Sequence, residues 1–328
     1  MAPPRALDRS RTAREVVNWG CLSETVEPIC EIELPSGEAV PVVRRRFAGG
    51  PGKKVALVAS IRGDTPEGTR ILHNVARHLS ANAEKLSGTV DVYPCVNPLA
   101  AHSGSRNWPG MDLDLNERFP GRADGHAPDR VAAALLAAVS EADCVVELRG
   151  GHPAFRQACQ ARVQADQVDA KDRAATCNVR VVWSRTAAPE PGSLGELVPG
   201  LICLEGGVGH RLTEGVGLEL SDGVLNLLAT IGVLPENDLP FHWAAIQRPQ
   251  LVGDECLHDV RASRGGLYLP TGEVWGEVDA GGTLGEVVDP LTGDVRETLV
   301  SPVRGRVIAQ REQPVVYPGN LLVRVVSG

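Results

Sequence analysis

The chain has 328 residues, 43% of them apolar and 23% charged, enough to bury a sizeable core in one large domain plus a small one. Its 33 basic and 41 acidic residues leave a formal charge of −8 at pH 7, which gives phosphate backbones and anionic lipid nothing to hold, and 4% aromatic residues leave little for base stacking. Nucleic-acid and membrane partners are therefore not expected, and no run of 18 apolar residues offers a transmembrane span.

Residues 1–16 read as a mobile tail with scattered arginines and no apolar central stretch, so neither a signal peptide nor an anchor is expected and the cytoplasm is the expected location. The eight cysteines (Cys21, Cys30, Cys95, Cys144, Cys159, Cys177, Cys203 and Cys256) show no paired spacing, which speaks for free thiols rather than a zinc finger or a disulfide framework.

Residues 17–250 read as the large domain. Ile29–Leu34 and Ala39–Arg46 form a hairpin around the Pro35-Ser36-Gly37 turn, with Arg44, Arg45 and Arg46 as a solvated strand end. Lys54–Ile61 is continuously apolar, the pattern of a strand buried on both faces. A helix follows, with Thr65 as its cap, Pro66 at its first position, and Ile71, Leu72, Val75, Ala76 and Leu79 at helical spacing. Then come strand Val90–Val96, an irregular loop from Asn97 to Gly121, helix Asp129–Ala142, strands Cys144–Leu148, Val179–Trp183 and Leu201–Leu204, and helix Asp222–Leu234. Strands alternating with helices predict an α/β fold, a mostly parallel mixed sheet with helices on both faces. From residue 251 to 328 short strands punctuated by Gly and Pro predict a small all-β, barrel-like domain.

In an open α/β sheet the site lies at the carboxyl ends of the strands. Four segments reach that edge: Arg62–Gly68, Asn97–Gly121, Glu147–Gly151 and Glu205–Gly207. A long loop inside a compact domain draws attention to the second of these.

Gly63-Asp64 with Gly68, Asn97-Pro98 with Arg106, Asp114-Leu115-Asn116 with Phe119-Pro120-Gly121, and Glu205-Gly206-Gly207 occur in an order that resembles the succinylglutamate desuccinylase/aspartoacylase family. The resemblance covers roughly residues 40–328. It implies a carboxypeptidase-like fold with a C-terminal β-domain and a zinc-dependent hydrolase of N-acyl amino acids. It also implies a general base at Glu205, and contacts to the substrate's carboxylate from Arg106 and Asn116. Departures from the pattern matter more than matches. Where the resemblance implies His, Glu and His as zinc ligands, this chain has Arg62, Thr65 and Arg149. A guanidinium is always protonated and only donates, so neither arginine can ligate a cation, and two fixed positive charges would repel one. No metal and no other cofactor is expected.

The family's substrate-binding Arg after Asp-Leu-Asn is replaced by Glu117, unless a one-residue slip brings Arg118 to that place. Counting charges, two arginines less Glu117 leave a cationic pocket without a metal, in which Arg62 and Arg149 are held by Glu117 and Glu205 or by an anionic ligand. The partner expected is a small anionic molecule, an N-acyl amino acid or a peptide end, and sequence marks no interface that would decide for or against a homo-oligomer. Two rival readings stand beside a non-catalytic binding protein. One is a metal-free enzyme in which Arg62 and Arg149 stabilise negative charge while Glu205 or Glu117 moves a proton, with Ser103 and Cys159 weighed as nucleophiles that lack an activating His. The other is a zinc amidohydrolase with ligands relocated among Asp64, Glu67, His102, Glu147 and His152.

Overall fold

The computed structural model describes residues 24–236 and 248–328, so the tail expected over residues 1–16, along with Cys21, lies outside the described residues. In chain order the first part runs β1 (Glu24–Glu33), β2 (Ala39–Ala48), β3 (Gly50–Ala59), α1 (Pro66–Ala81), β4 (Ser87–Tyr93), α2 (Pro98–Ser103), α3 (Ala127–Val139), β5 (Cys144–Gly150), β6 (Phe155–Gln164), α4 (Val168–Ala175), β7 (Val181–Arg185), α5 (Leu194–Leu197), β8 (Ile202–Gly207) and α6 (Val216–Thr230). The remainder is β9 (Gln250–Gly253), β10 (Leu257–Arg261), β11 (Gly266–Pro270), β12 (Glu277–Val278), β13 (Thr283–Val288), β14 (Val295–Val300), β15 (Gly305–Arg311), β16 (Val315–Val316) and β17 (Leu321–Ser327).

The continuous apolar run of β3 is explained by its place in the middle of the sheet. Val55, Leu57 and Ala59 point to a cluster shared with α1, α4 and α6, while Ala56 and Val58 point to the opposite cluster shared with α3. All five apolar positions expected on α1 are fully buried. β3 pairs parallel with β4 and with β5, and β5 with β8. Because the chain leaves β3 for β4 on one side and returns to β5 on the other, the crevice between the carboxyl ends of β3 and β5 is a switch point of the topology. The architecture is the expected mixed α/β sheet with helices on both faces.

The structure corrects several expectations. Asn97–Gly121 is not structureless, since it holds α2 and a short 3-10 turn at Leu115–Glu117, anchored where Asn97 and Asp114 accept backbone N–H groups of Ala100 and Asn116. β6, α4 and α5 had no counterpart in the sequence reading, and the last helix of this part begins at Val216, ahead of Asp222. Thr65 stands at the cap position of α1, but its hydroxyl donates back to the Arg62 carbonyl at 3.0 Å instead of capping. Arg44, Arg45 and Arg46 are not simply solvated: Arg44 pairs with Glu27, Arg45 with Glu24 at 2.6 Å, and Arg46 grips buried Asp91 with two bonds of 2.7 and 2.8 Å.

The C-terminal strands build an antiparallel sheet, β14-β13-β11-β16, around buried Tyr268, Leu284, Val287 and Leu299. β15, β17 and β10 instead extend the main sheet, joined through antiparallel pairing of β15 with β6, and β9 joins it through β7. No helix among the described residues is long and apolar enough to cross a membrane.

Candidate functional site

Strand alternation assembles the site. On β5, β8 and β6 the apolar residues Leu148, Leu204 and Ala161 face the α1 layer, so the residues between them face the other way. Arg149, Glu205 and Gln160 fall side by side across the three strands, and Glu147, Cys203 and Arg162 form the adjacent row. Six polar side chains thus share one patch of sheet, roofed by the chain between β7 and β8.

Four guanidinium groups in this region meet carboxylates. Arg149 donates Nε to Glu147 Oε1 at 2.6 Å and Nη2 to Oε2 at 2.7 Å, a two-pronged bond in which Glu147 is 3% exposed. Burial acts against the charge on Arg149, and its neighbours Cys203, Glu147 and Glu205 together outweigh it. The adjacent Cys203 thiol, pushed up to about 12 by burial, is neutral at physiological pH. Arg162 pairs with Glu205 Oε1, which also accepts Gln157 Nε2 at 3.0 Å and Gln160 Nε2 at 2.5 Å. The Arg162 guanidinium stacks 4.8 Å from the Trp183 ring.

Arg62, at the carboxyl end of β3, donates Nε to Asp114 Oδ2 at 2.9 Å and Nη2 to Glu190 Oε2 at 2.8 Å. Arg106 reaches the same Asp114 oxygen with Nε at 2.9 Å and Nη2 at 2.8 Å. Asn116 donates Nδ2 to Glu190 Oε2 at 3.3 Å. Burial alone would raise the Glu190 carboxyl, but Arg62 beside it, with Arg149 and Arg106 farther off, holds it below the usual carboxylate range. Two close approaches fix these parts. A Cβ on Gly63 would lie 2.1 Å from the Ala100 carbonyl carbon, so only glycine lets the β3 end sit against α2. A Cβ on Gly192, at φ +74°, would lie 2.6 Å from the Glu117 carbonyl oxygen, and the Gly192 carbonyl accepts the Phe119 N–H at 2.9 Å, which holds the Glu190 loop in place.

The structure therefore brings together Arg62, Arg149, Glu205, Arg106 and Asn116 and separates two other candidates. Glu117 is exposed, and the partners of the two arginines are Asp114, Glu190 and Glu147. Arg118 points away to Asp129 of α3, with bonds of 2.9 and 2.6 Å, so the one-residue slip does not bring it into the site. Four arginines (Arg62, Arg106, Arg149, Arg162) face four carboxylates (Asp114, Glu190, Glu147, Glu205), so these guanidinium groups are paired within the chain. Sequence reasoning had missed Glu190, Gln160 and Arg162. The alternation of Gln160, Arg162 and Gln164 with Cys159, Ala161 and Val163 was the available signal for β6. Nothing local marked Glu190.

A cleft of about 640 Å³ opens along this patch, with Asn116, Glu147, Arg149, Arg162, Arg185 and Glu190 among its walls. The seat that the resemblance assigns to zinc does not fit that ion, since its side chains are two protonated guanidinium groups and a threonine hydroxyl already donating to a carbonyl. Of the donors weighed for a relocated site, Glu67 accepts Thr213 N–H at 2.7 Å, Glu147 is bound to Arg149, His102 is exposed on α2, exposed His152 accepts Ala154 N–H on Nδ1 at 3.0 Å, and Asp64 is buried with no hydrogen-bond partner at Oδ1. Among the described residues no three His, Cys, Asp or Glu side chains form a metal-holding group. Of the two nucleophiles weighed, Cys159 is buried with its thiol raised by burial, and Ser103 donates to the Leu99 and Ala100 carbonyls.

Comparison with known proteins places this geometry. A family model described as the succinylglutamate desuccinylase/aspartoacylase catalytic domain matches residues 51–231. Over 113 residues the chain is 32% identical to the N-alpha-acetyl-L-2,4-diaminobutyric acid deacetylase of Halomonas elongata, a match that takes in 34% of this chain and 31% of that protein, so it spans only about a third of the relative's length. Among solved structures, the product-bound ectoine utilization protein EutE (DoeB) of Ruegeria pomeroyi superposes with a TM-score of 0.76 at 21% identity, over 93% of this chain and 95% of its own. A succinylglutamate desuccinylase/aspartoacylase from Rhodobacter sphaeroides gives 0.76 at 20% identity, over 93% and 94%. At such identities the superpositions establish the shared fold, and the family model, which covers more than half of the 328 residues, establishes the lineage: the chain belongs to the succinylglutamate desuccinylase/aspartoacylase family.

Proposed function

We propose that this chain is a divergent family member that binds a small carboxylate-bearing molecule, of the N-acyl amino acid or peptide-end type, in the cleft beside Arg62 and Arg149 and does not hydrolyse it by zinc chemistry. The observation that carries the reading is the arginine pair itself: both guanidinium groups occupy ligand positions and both are locked to buried carboxylates, Asp114 and Glu147. An arginine so paired cannot swing away without stranding a buried charge, at a cost of about 3–5 kcal/mol. Arg106 and Asn116 supply the donors suited to a carboxylate. Glu205 accepts from Gln157, Gln160 and Arg162 at one oxygen, so this carboxylate is held by side chains of β6. The free thiols among the described residues suit a cytoplasmic protein.

The Halomonas relative is by name a deacetylase of an N-acetylated amino acid, which makes N-acyl amino acids the first probes. A panel of them is titrated into the protein by calorimetry and incubated with it in parallel, with and without chelator. Binding that weakens in Arg106→Ala and Asn116→Ala, with no turnover, is the expected result. Turnover that survives chelator and vanishes in Glu205→Gln would establish the metal-free enzyme instead, and turnover abolished by chelator would establish a zinc hydrolase.

A further inference from the structure

Glu190 differs from the other carboxylates of the network. Asp114, Glu147 and Glu205 are buried at 5%, 3% and 7% side-chain exposure, whereas Glu190 is 55% exposed. It is carried by a Pro-rich loop, Thr186-Ala187-Ala188-Pro189-Glu190-Pro191-Gly192, rather than by the sheet. The groups it reaches are the reverse. Arg62 is 12% exposed at its side chain, and Asn116 is 1% exposed. Arg62 therefore divides its donors, giving Nε to a permanent buried partner and Nη2 to a partner that arrives from solvent.

A second, independent feature lies in Asn116. Its Nδ2 is satisfied by Glu190, while its Oδ1, buried in a side chain that lines the cleft, has no hydrogen-bond partner. A buried acceptor left unmade is costly, and such groups in native proteins call for an explanation. A carboxylate whose neighbouring atom bears an N–H or O–H would satisfy both ends of the Asn116 amide, whereas the Glu190 side chain has only methylene beside its carboxylate and can satisfy one.

Building on the reading of the cleft as a carboxylate site, we infer that Glu190 is a chain-borne occupant of the ligand's carboxylate seat. It is displaced when a carboxylate with an adjacent hydrogen-bond donor, an α-acylamino or α-hydroxy acid, takes its place on Arg62 and Asn116. The loop then acts as a self-competitor. It keeps the buried guanidinium paired while the cleft is empty, and it sets a threshold that carboxylates without the extra donor do not pass.

The test uses N-acetylglycine (carboxylate with N–H), glycolate (carboxylate with O–H) and propionate (neither), titrated by calorimetry into the wild-type chain and into Glu190→Ala. Removing the competitor is expected to tighten N-acetylglycine or glycolate by about fivefold or more, with the preferred probe identifying the donor. Amide hydrogen exchange over residues 186–192 of the wild type is expected to speed up when that probe saturates it. Should Glu190→Ala fail to fold, Glu190→Gln carries the same comparison, because it keeps the side chain's shape and removes its charge. Wild-type binding that is unchanged or weakened by both variants overturns the self-competition and leaves the carboxylate site standing. Absence of binding by wild type and variants alike overturns both.

Discussion

Substituting Glu147 by Gln keeps the shape of the side chain and removes the charge that Arg149 faces. Glu147 is 3% exposed and Arg149 21% exposed, and they share two bonds of 2.6 and 2.7 Å, so the guanidinium would be left in the sheet with one weak acceptor. Breaking one side of a buried pair costs about 3–5 kcal/mol. With an unfolding entropy of about 2.1 cal/mol/K per residue, a chain of 328 residues loses roughly 4–7 °C of Tm for that energy. The partner experiment is Glu147→Gln combined with Arg149→Met, which removes the stranded charge and fills its volume with apolar atoms; replacing a buried pair in this way is often neutral or stabilising. Differential scanning calorimetry on both should show the single variant falling by several degrees and the double variant recovering most of the loss. A single variant within a degree of wild type, or a double variant no better than the single one, would refute the idea that Arg149 is a buried charge dependent on Glu147.

Further outcomes follow from the same structure. Asp114→Asn removes the acceptor shared by Arg62 and Arg106 and should lower stability in chemical denaturation by about 2–4 kcal/mol, more than loss of an ordinary neutral hydrogen bond. Gly63→Ala would place a methyl 2.1 Å from the Ala100 carbonyl carbon, so α2 must shift, and a Tm within a degree of wild type would contradict that contact. Burial raises the Glu67 carboxyl above its ordinary value of 4.5, against the opposing pull of Thr213 N–H and Arg70, so the folded state penalises the charge at neutral pH and the penalty fades as pH falls through the raised value. Relative to Glu67→Gln, whose amide oxygen can still accept from Thr213, the wild type should therefore gain stability as pH falls from neutral toward the ordinary value of 4.5, and a pH-independent difference would show that the charge on Glu67 carries no penalty.

How far the sequence could be read depended on whether a signal was local. The apolar run of β3 and the spacing along α1 were legible because each element's own residues state which faces are buried. The glycine at 63 was legible as part of a motif, and its reason, contact with the α2 backbone, emerged only in three dimensions. Replacement of expected ligand types by Arg62 and Arg149 was plain from side-chain chemistry, but their partners were not. Glu117 is near in sequence to the matched motif and still faces solvent, whereas Glu190 stands 128 residues from Arg62 and completes its pairing. Arg162 and Glu205 meet because β6 runs antiparallel to β8, a pairing that no local pattern specifies. Charge counting along the motifs therefore left out the long-range carboxylates that pair with these arginines.

In the proposed reading, guanidinium groups stand where a zinc ion's ligands would. Elemental analysis of the freshly purified chain, repeated after equilibration with excess zinc and gel filtration, tests this directly when paired with the variant Arg62→His, Thr65→Glu, Arg149→His. The wild type should carry zinc well below stoichiometry before and after, and the variant should gain it. Stoichiometric zinc that survives gel filtration in the wild type and is lost on mutating Arg62 and Asp64 would contradict the claim.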